Sequence, residues 1–270
     1  MEYNLPKIRK KSIRNRKIFE KCAEQWGGGL VRSSDLLSGH FRQSDGQVKS
    51  RYQKKSSSEG LGLAMDFDVW EPYYCEILEY FGFDRAQDEE AARVLAALMT
   101  RDNLLSLAAL TCDNYVTVCG NAPCLKDELA EIQGVIFAAD AAAEVLDAHD
   151  IRPDAVFTDL DGATDRLLAL NESGTIVVIH AHGDNVPLLR YWVPRFQGPV
   201  VATTQSIPLP HVHNFGGFSD GDRAVFAADE LGAEHITLIG FDLDDNNVDP
   251  MKRGKLFWAR KLLALIGHAC

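Results

Sequence analysis

Two carboxylates stand two residues apart in Phe157-Thr158-Asp159-Leu160-Asp161-Gly162. An apolar run, Ala155-Val156-Phe157, precedes them and reads as a buried strand. Thr164-Asp165-Arg166-Leu167-Leu168 follows and reads as the start of a helix. Residues i and i+2 of a strand point the same way, so Asp159 and Asp161 are expected to converge on one hard cation. Gly162 is expected to let the backbone turn sharply. The bland alternative makes both carboxylates turn residues that cap the next helix. A D-x-D-G at a strand end favours the chemical reading, because perturbed carboxylates gather at functional sites.

The other strand ends carry similar chemistry. Gly120-Asn121-Ala122-Pro123 leads into a helix, where free N–H groups and the helix dipole favour a phosphate. It lacks the full G-x-G-x-x-G and the P-loop lysine. Asp140 ends a second strand. His180-Ala181-His182-Gly183-Asp184-Asn185 ends a fourth and meets Pro187, so Asp184 or Asn185 would serve equally as a helix cap. After Thr203-Thr204-Gln205 comes a long loop holding His211, His213 and Asn214-Phe215-Gly216-Gly217-Phe218-Ser219-Asp220-Gly221-Asp222-Arg223. Gly240-Phe241-Asp242 ends a sixth strand. Carboxylates with few lysines suggest a polyphosphate bound through Mg²⁺, which takes oxygen ligands and offsets their charge. Arg223 is the expected cation for a transferred group.

The elements that must position these residues are legible from about residue 66. Helical periodicity covers 66–82, with Trp70, Tyr73, Tyr74 and Ile77 on a core face, and then 88–100 and 104–110. Strands are expected at 115–119, 134–139, 155–158, 175–180, 199–203 and 235–240. Helices are expected between them at 125–132, 141–148, 164–170, 186–196 and 220–231, with a last one over 251–266. The strands are rich in Val, Ile and Ala without polar alternation, so they are buried on both faces. The implied fold is α/β: a mostly parallel, doubly wound sheet of about six strands with helices on both faces. A small helical N-terminal region, 65–112, precedes the α/β nucleotide-binding domain, 113–270. Loops at the carboxyl edge of such a sheet build one site.

Charge divides the chain sharply. Residues 1–64 carry 14 Lys/Arg against 6 Asp/Glu, whereas 65–270 carry 14 against 33. The first segment is basic and Gly/Ser-rich, the composition of a disordered extension or of a basic arm for nucleic acid. A helix over 13–26 is conceivable within it, and Met65 reads like a natural start, leaving 1–64 outside the native protein. Residues 65–270 are too acidic to bind nucleic acid well. No apolar run approaches the ~18 residues of a membrane span, and the basic N-terminus has no apolar stretch after it. Cytoplasmic residence is the default expectation. Six cysteines form no C-x-x-C pair and are expected to be reduced and mostly buried.

Taken together, Gly120-Asn121-x-Pro123, Thr158-Asp159-Leu160-Asp161-Gly162, the H-A-H-G-D-N block 180–185, the F-G-G-F-S-D-G-D-R-A block 215–224 and Gly240-Phe241-Asp242 resemble one family. They are similar to the archaeal 6-hydroxymethyl-7,8-dihydropterin pyrophosphokinases, the MptE-like proteins. The resemblance runs from about Met65 to the end, and Asp68-Val69-Trp70-Glu71-Pro72 also looks like that family's N-terminus. It implies a fold related to the thiamin pyrophosphokinase catalytic domain, where a similar D-x-D binds magnesium. It implies transfer of the β,γ-pyrophosphoryl group of ATP to the pterin hydroxymethyl, releasing AMP, for methanopterin or folate synthesis. Asp159 and Asp161 would then bind Mg²⁺, with Asp184 and Asp222 as further metal candidates. Arg223 would stabilise the transferred group, and His180 or His182 would act as base. Gly120, Asn121, Asp140, Asn185, Gly216, Gly217, Asp220 and Asp242 would line the nucleotide. Ala122 and Ala141 stand where that family favours glycine, which narrows the backbone's approach to a ligand. Thiamin as acceptor and a homo-oligomer remain open.

Two rivals come from other classes. His180-x-His182-x-Asp184, with His211 and His213, resembles the ligand block of a dinuclear zinc hydrolase of the metallo-β-lactamase type. A non-catalytic nucleotide-binding module, or a different transferase on the same scaffold, is the second.

Overall fold

The computed structural model describes residues 65–268. The expectations for 1–64, namely the disordered extension, the basic arm and the helix over 13–26, lie outside the described residues. Seven strands form one sheet: β1 (Tyr115–Cys119), β2 (Val135–Ala139), β3 (Ala155–Thr158), β4 (Ile176–Ala181), β5 (Val200–Thr204), β6 (Val212–His213) and β7 (His235–Ile239). Their order is β6-β5-β4-β3-β2-β1-β7 and every neighbouring pair is parallel. β3, β4 and β5 are buried at every residue, as strands covered on both faces must be. The expected six strands become seven because β6 has two residues and no periodicity to announce it.

Nine helices accompany the sheet among the described residues: α1 (Phe67–Phe81), α2 (Arg85–Leu98), α3 (Leu104–Thr111), α4 (Leu125–Glu128), α5 (Ala142–Asp147), α6 (Asp165–Glu172), α7 (Val186–Trp192), α8 (Asp220–Glu230) and α9 (Pro250–Leu265). The helix expected over 125–132 is shorter, because a 3₁₀ turn, Leu129–Glu131, replaces its second half. Asp66 caps α1 by accepting the Asp68 N–H, and Gly82 ends it at φ 71°.

From β1 to β5 the chain steps one way across the sheet, so right-handed crossovers put α4 to α7 on one face. The return from β6 to β7 crosses the sheet, and its helix α8 covers β1, β2, β3 and β7 from the other face. The direction therefore reverses between β1 and β7, where open α/β sheets bind ligands. The N-terminal helices pack directly onto this frame. Trp70 of α1 meets Phe226 of α8 edge-on at 6.4 Å, and α2 lies on α7, β4, β5 and β6. The turn joining α1 to α2 is thereby carried to the carboxyl edge of the sheet. Of the four described free cysteines, Cys119 is buried, Cys112 and Cys124 are half-buried, and Cys75 is exposed, so the expectation of burial holds for Cys119 alone.

Candidate active site

A cavity of about 980 Å³ runs along the carboxyl edge of the sheet. Loops after β1, β2, β3, β4, β5 and β7 wall it, together with the first turn of α8, one side of α9 and the α1–α2 turn.

At its centre, Asp140, Asp159 and Asp161 bring one carboxylate oxygen each to within 4.8 Å of the others. The strand pleat does not achieve this, because β3 ends at Thr158. Leu160 does: its side chain is fully buried, its φ is 72°, and the reversal swings both flanking carboxylates to one side. The Asp161 N–H donates to Asp159 Oδ1 at 3.1 Å, and Thr158 Oγ1 donates to Asp140 Oδ1 at 2.8 Å. Asp140 also has a positive φ, 45°, so two non-glycine residues of the cluster sit in strained backbone. Gly162 has another role than the expected turn. A Cβ there would lie 3.2 Å from Asp140 Oδ2, so the glycine leaves room for that carboxylate.

Partial desolvation raises the Asp161 pKa and burial that of Asp140, with the Asp159 charge adding to both. Burial works the same way on Asp159, but the His182 bond and the Arg223 charge outweigh it and hold Asp159 below the usual carboxylate range. The centre thus holds oxygen donors whose mutual repulsion a hard divalent cation would relieve.

The H-A-H-G-D-N block divides into different duties. His182 lines the cavity, with Nε2 3.2 Å from Asp159 Oδ2. Asn185 organises the loop: Nδ2 donates to the backbone oxygens of Asp159 and His180, and Oδ1 accepts the His182 N–H. Asp184 reaches the cavity rim with 94% of its side chain exposed, 3.8 Å from His182 Nδ1 and outside the carboxylate cluster. His180, the other candidate base, does not line this cavity. It is buried beneath it, bonded at 3.0 Å to Thr203 Oγ1, and burial, with Arg223 and His182 nearby, lowers its pKa strongly.

The glycine-rich loop before α8 also differs from expectation. Asp222 is not one of the three carboxylates that converge in the cavity. It is wholly buried, accepts the Phe218 and Ser219 N–H groups and the Ser219 hydroxyl, and so closes a capping box. Gly216 and Gly217 do not face the cavity. A Cβ on Gly217 would strike the Arg223 backbone, so that pair serves the loop's fold against α8. Arg223 and Asp220 do face it, joined Nη1 to Oδ1 at 3.0 Å, while Arg223 Nε is buried without a partner. Burial pushes the Asp220 carboxyl up to about 7.

At the β1/β7 end, Gly120, Asn121 and Asp242 line the cavity. A Cβ on Gly120 or Gly240 would collide with the other's carbonyl oxygen, which lets the two loops touch. Ala122 stays in this arrangement, its N–H donating to Gly240 O at 2.9 Å.

Among the wall residues given no role from the sequence, four stand out. Lys252 and Lys255 reach in from α9. They are three apart on one helix and two of only four lysines after residue 64, a signal that was available. Asp88, from α2, and Gln205, after β5, wall the opposite end. Nothing local marks Asp88, and Gln205 was legible only as the polar end of a strand.

His211 and His213 stand away from this cavity. Both lie on Asp102, at 3.5 and 2.8 Å, beside the edge strand β6. With them elsewhere and the sheet wholly parallel, the dinuclear zinc hydrolase reading fails.

A family model described as 6-hydroxymethylpterin diphosphokinase MptE-like matches residues 95–248. The chain belongs to the MptE-like family. Three curated relatives are named 6-hydroxymethyl-7,8-dihydropterin pyrophosphokinase. That of Methanothermobacter thermautotrophicus is 38% identical, over 74% of this chain and 94% of its own length. That of Pyrococcus furiosus is 40% identical, over 66% and 78%. That of Methanocaldococcus jannaschii is 35% identical, over 66% and 80%. The MptE-like match spans the carboxylate trio, His182 and Arg223, whereas Asp88, Lys252 and Lys255 fall outside it. No described helix of this MptE-like protein is long and apolar enough to cross a membrane.

Proposed function

We propose that this protein transfers the β,γ-pyrophosphoryl group of ATP to the hydroxymethyl oxygen of 6-hydroxymethyl-7,8-dihydropterin, releasing AMP. The convergence of Asp140, Asp159 and Asp161 carries the proposal, because a trio of oxygen donors beside Arg223 suits a metal-bound polyphosphate. The names of the relatives support the acceptor.

Asp140, Asp159 and Asp161 would hold Mg²⁺, which neutralises phosphate charge and orients the donor. Arg223 offers its guanidinium to the transferred group, steadied by Asp220. The acceptor oxygen bonds to the β-phosphorus while the bridge to the α-phosphorus breaks, its electrons leaving with AMP. His182, oriented by Asp159 and facing the cavity, takes the hydroxyl proton. Most of the rate comes from holding oxygen and phosphorus in line within a partly dry cavity.

The test is AMP release by the full chain with ATP and Mg²⁺, comparing the dihydropterin, thiamin and no acceptor. AMP and pterin diphosphate in equal amounts are expected with the dihydropterin alone. ATP binding without AMP from either acceptor would turn the proposal to a nucleotide-binding module. AMP with thiamin alone would reassign the acceptor.

A further inference from the structure

The β4/β5 end of the cavity holds a buried polar network that the proposed transfer does not use. Asp88 accepts three hydrogen bonds at 2.7 Å: Tyr74 Oη and Gln205 Nε2 donate to Oδ2, and the Gly183 N–H donates to Oδ1. Oδ1 therefore keeps a lone pair. Gln205 is 3% exposed and walls the cavity beside Asp88. Its Nε2 is committed to the carboxylate, which leaves Oε1 a buried acceptor with no partner. An unmet buried acceptor costs free energy unless a ligand meets it. The cavity also offers flat apolar contact: Phe218 and Phe83 line it, stacked on Phe81 at 5.0 and 5.2 Å.

The geometry points to Gln205 Oε1 and Asp88 Oδ1 as the acceptor pair that recognises the amino-pyrimidinone edge of the acceptor ring. That edge presents a ring N–H beside an exocyclic amine, donors only on that side, and it meets two acceptors here. Gln205 follows β5 and Asp159 follows β3, two strand spacings or about 10 Å apart. A bicyclic ring with a one-carbon arm covers that span, so docking the amine at Gln205 delivers the hydroxymethyl to the trio. Donor and acceptor thus enter from opposite ends. This assignment rests on the proposed reaction for its acceptor, but recognition of the edge is separable from turnover.

The test measures binding first. The full chain is titrated, by pteridine fluorescence, with 6-hydroxymethyl-7,8-dihydropterin and with its 2-oxo counterpart, which lacks the amine. Wild type should bind the 2-amino compound at least about tenfold tighter, as sites built around a hydrogen bond do. Gln205→Met, similar in volume, should bring that preference close to unity and leave ATP affinity unchanged. Equal binding of the two pteridines by wild type overturns the assignment without any variant. So does a preference that survives Gln205→Met, or a variant that weakens ATP instead. A wild-type preference for the amine with no AMP released would sink the proposed transfer and keep the subsite.

Discussion

At the β1/β7 end of the cavity the wall is largely backbone. Gly120 and Gly240 meet with no room for a side chain between them, and Ala122 N–H bonds across to Gly240 O. Asp242 is charged there, and Lys252 and Lys255 bring long side chains from α9 whose charges act on Asp140 and Asp161. At the β4/β5 end the wall is a network of side chains: Asp88 ties Tyr74, Gln205 and Gly183 together, drawing on α1, α2 and the loops after β4 and β5. A backbone wall fixes the shape of its end, because the N–H groups of Gly120, Ala122 and Gly240 are already bonded within the protein. A side-chain wall selects one partner, because each buried polar atom must be matched. The carboxylate trio stands between the two and belongs to neither.

That comparison is sharpest where it predicts no asymmetry. Asp161→Asn removes charge from the trio, and turnover should fall by about 10³-fold or more, as for loss of a group acting in the transition state. ATP and pteridine affinities should shift far less, and the Tm should hold, since the Asp161 side chain is largely exposed. Selective loss of one substrate would instead assign Asp161 to one end. Next in size is Gly240→Ala. Its Cβ would meet Gly120 O and its φ of 68° disfavours alanine, so stability should drop by about 2–3 kcal/mol in chemical denaturation. Nucleotide affinity should go with it. A variant as stable as wild type would show that the loops part easily and that the backbone wall is not fixed.

How much of this the sequence disclosed follows the same division. The doubly wound sheet was legible in its apolar runs, and the convergence of Asp159 and Asp161 in their spacing. The geometric reason was another one: a buried Leu160 in left-handed backbone turns the pair inward, and no residue type announces a leucine there. Asp222, in the first turn of α8, and Asp159, after β3, are the same residue type. Only tertiary packing makes one a cap and the other a cluster member. Asp88 was illegible because its partners Gly183 and Gln205 lie 95 and 117 positions away, and on its own it reads as one acid on an amphipathic helix. β6 was too short to have a period.

A smaller effect separates the two ends by substrate. Lys252→Ala with Lys255→Ala should raise KM for ATP by about tenfold, less at high salt, because exposed charges are screened. Pteridine affinity should not move. A parallel loss of both would mean that α9 acts on the whole cavity rather than on its phosphate end.

The smallest predicted effect contrasts two carboxylates of the wall. Asp88 is met by three donors, whereas Asp220 has one ion pair, to Arg223, and burial pushes it up to about 7. In the unfolded chain an aspartate ionises near ~4, so between there and pH ~7 the folded protein holds a proton that the unfolded one lacks. Asp220 therefore makes stability fall as pH rises through that window, and the fall flattens above it. Asp220→Asn has no such proton, so the variant should gain on wild type with rising pH. Over pH 6 to 7.5 in metal-free buffer the difference should grow by about 1 kcal/mol, read from paired denaturation curves. All other groups cancel in that difference. A gap that stays constant would mean that Arg223 already compensates Asp220 fully, and that the under-paired carboxylate is no feature of this wall.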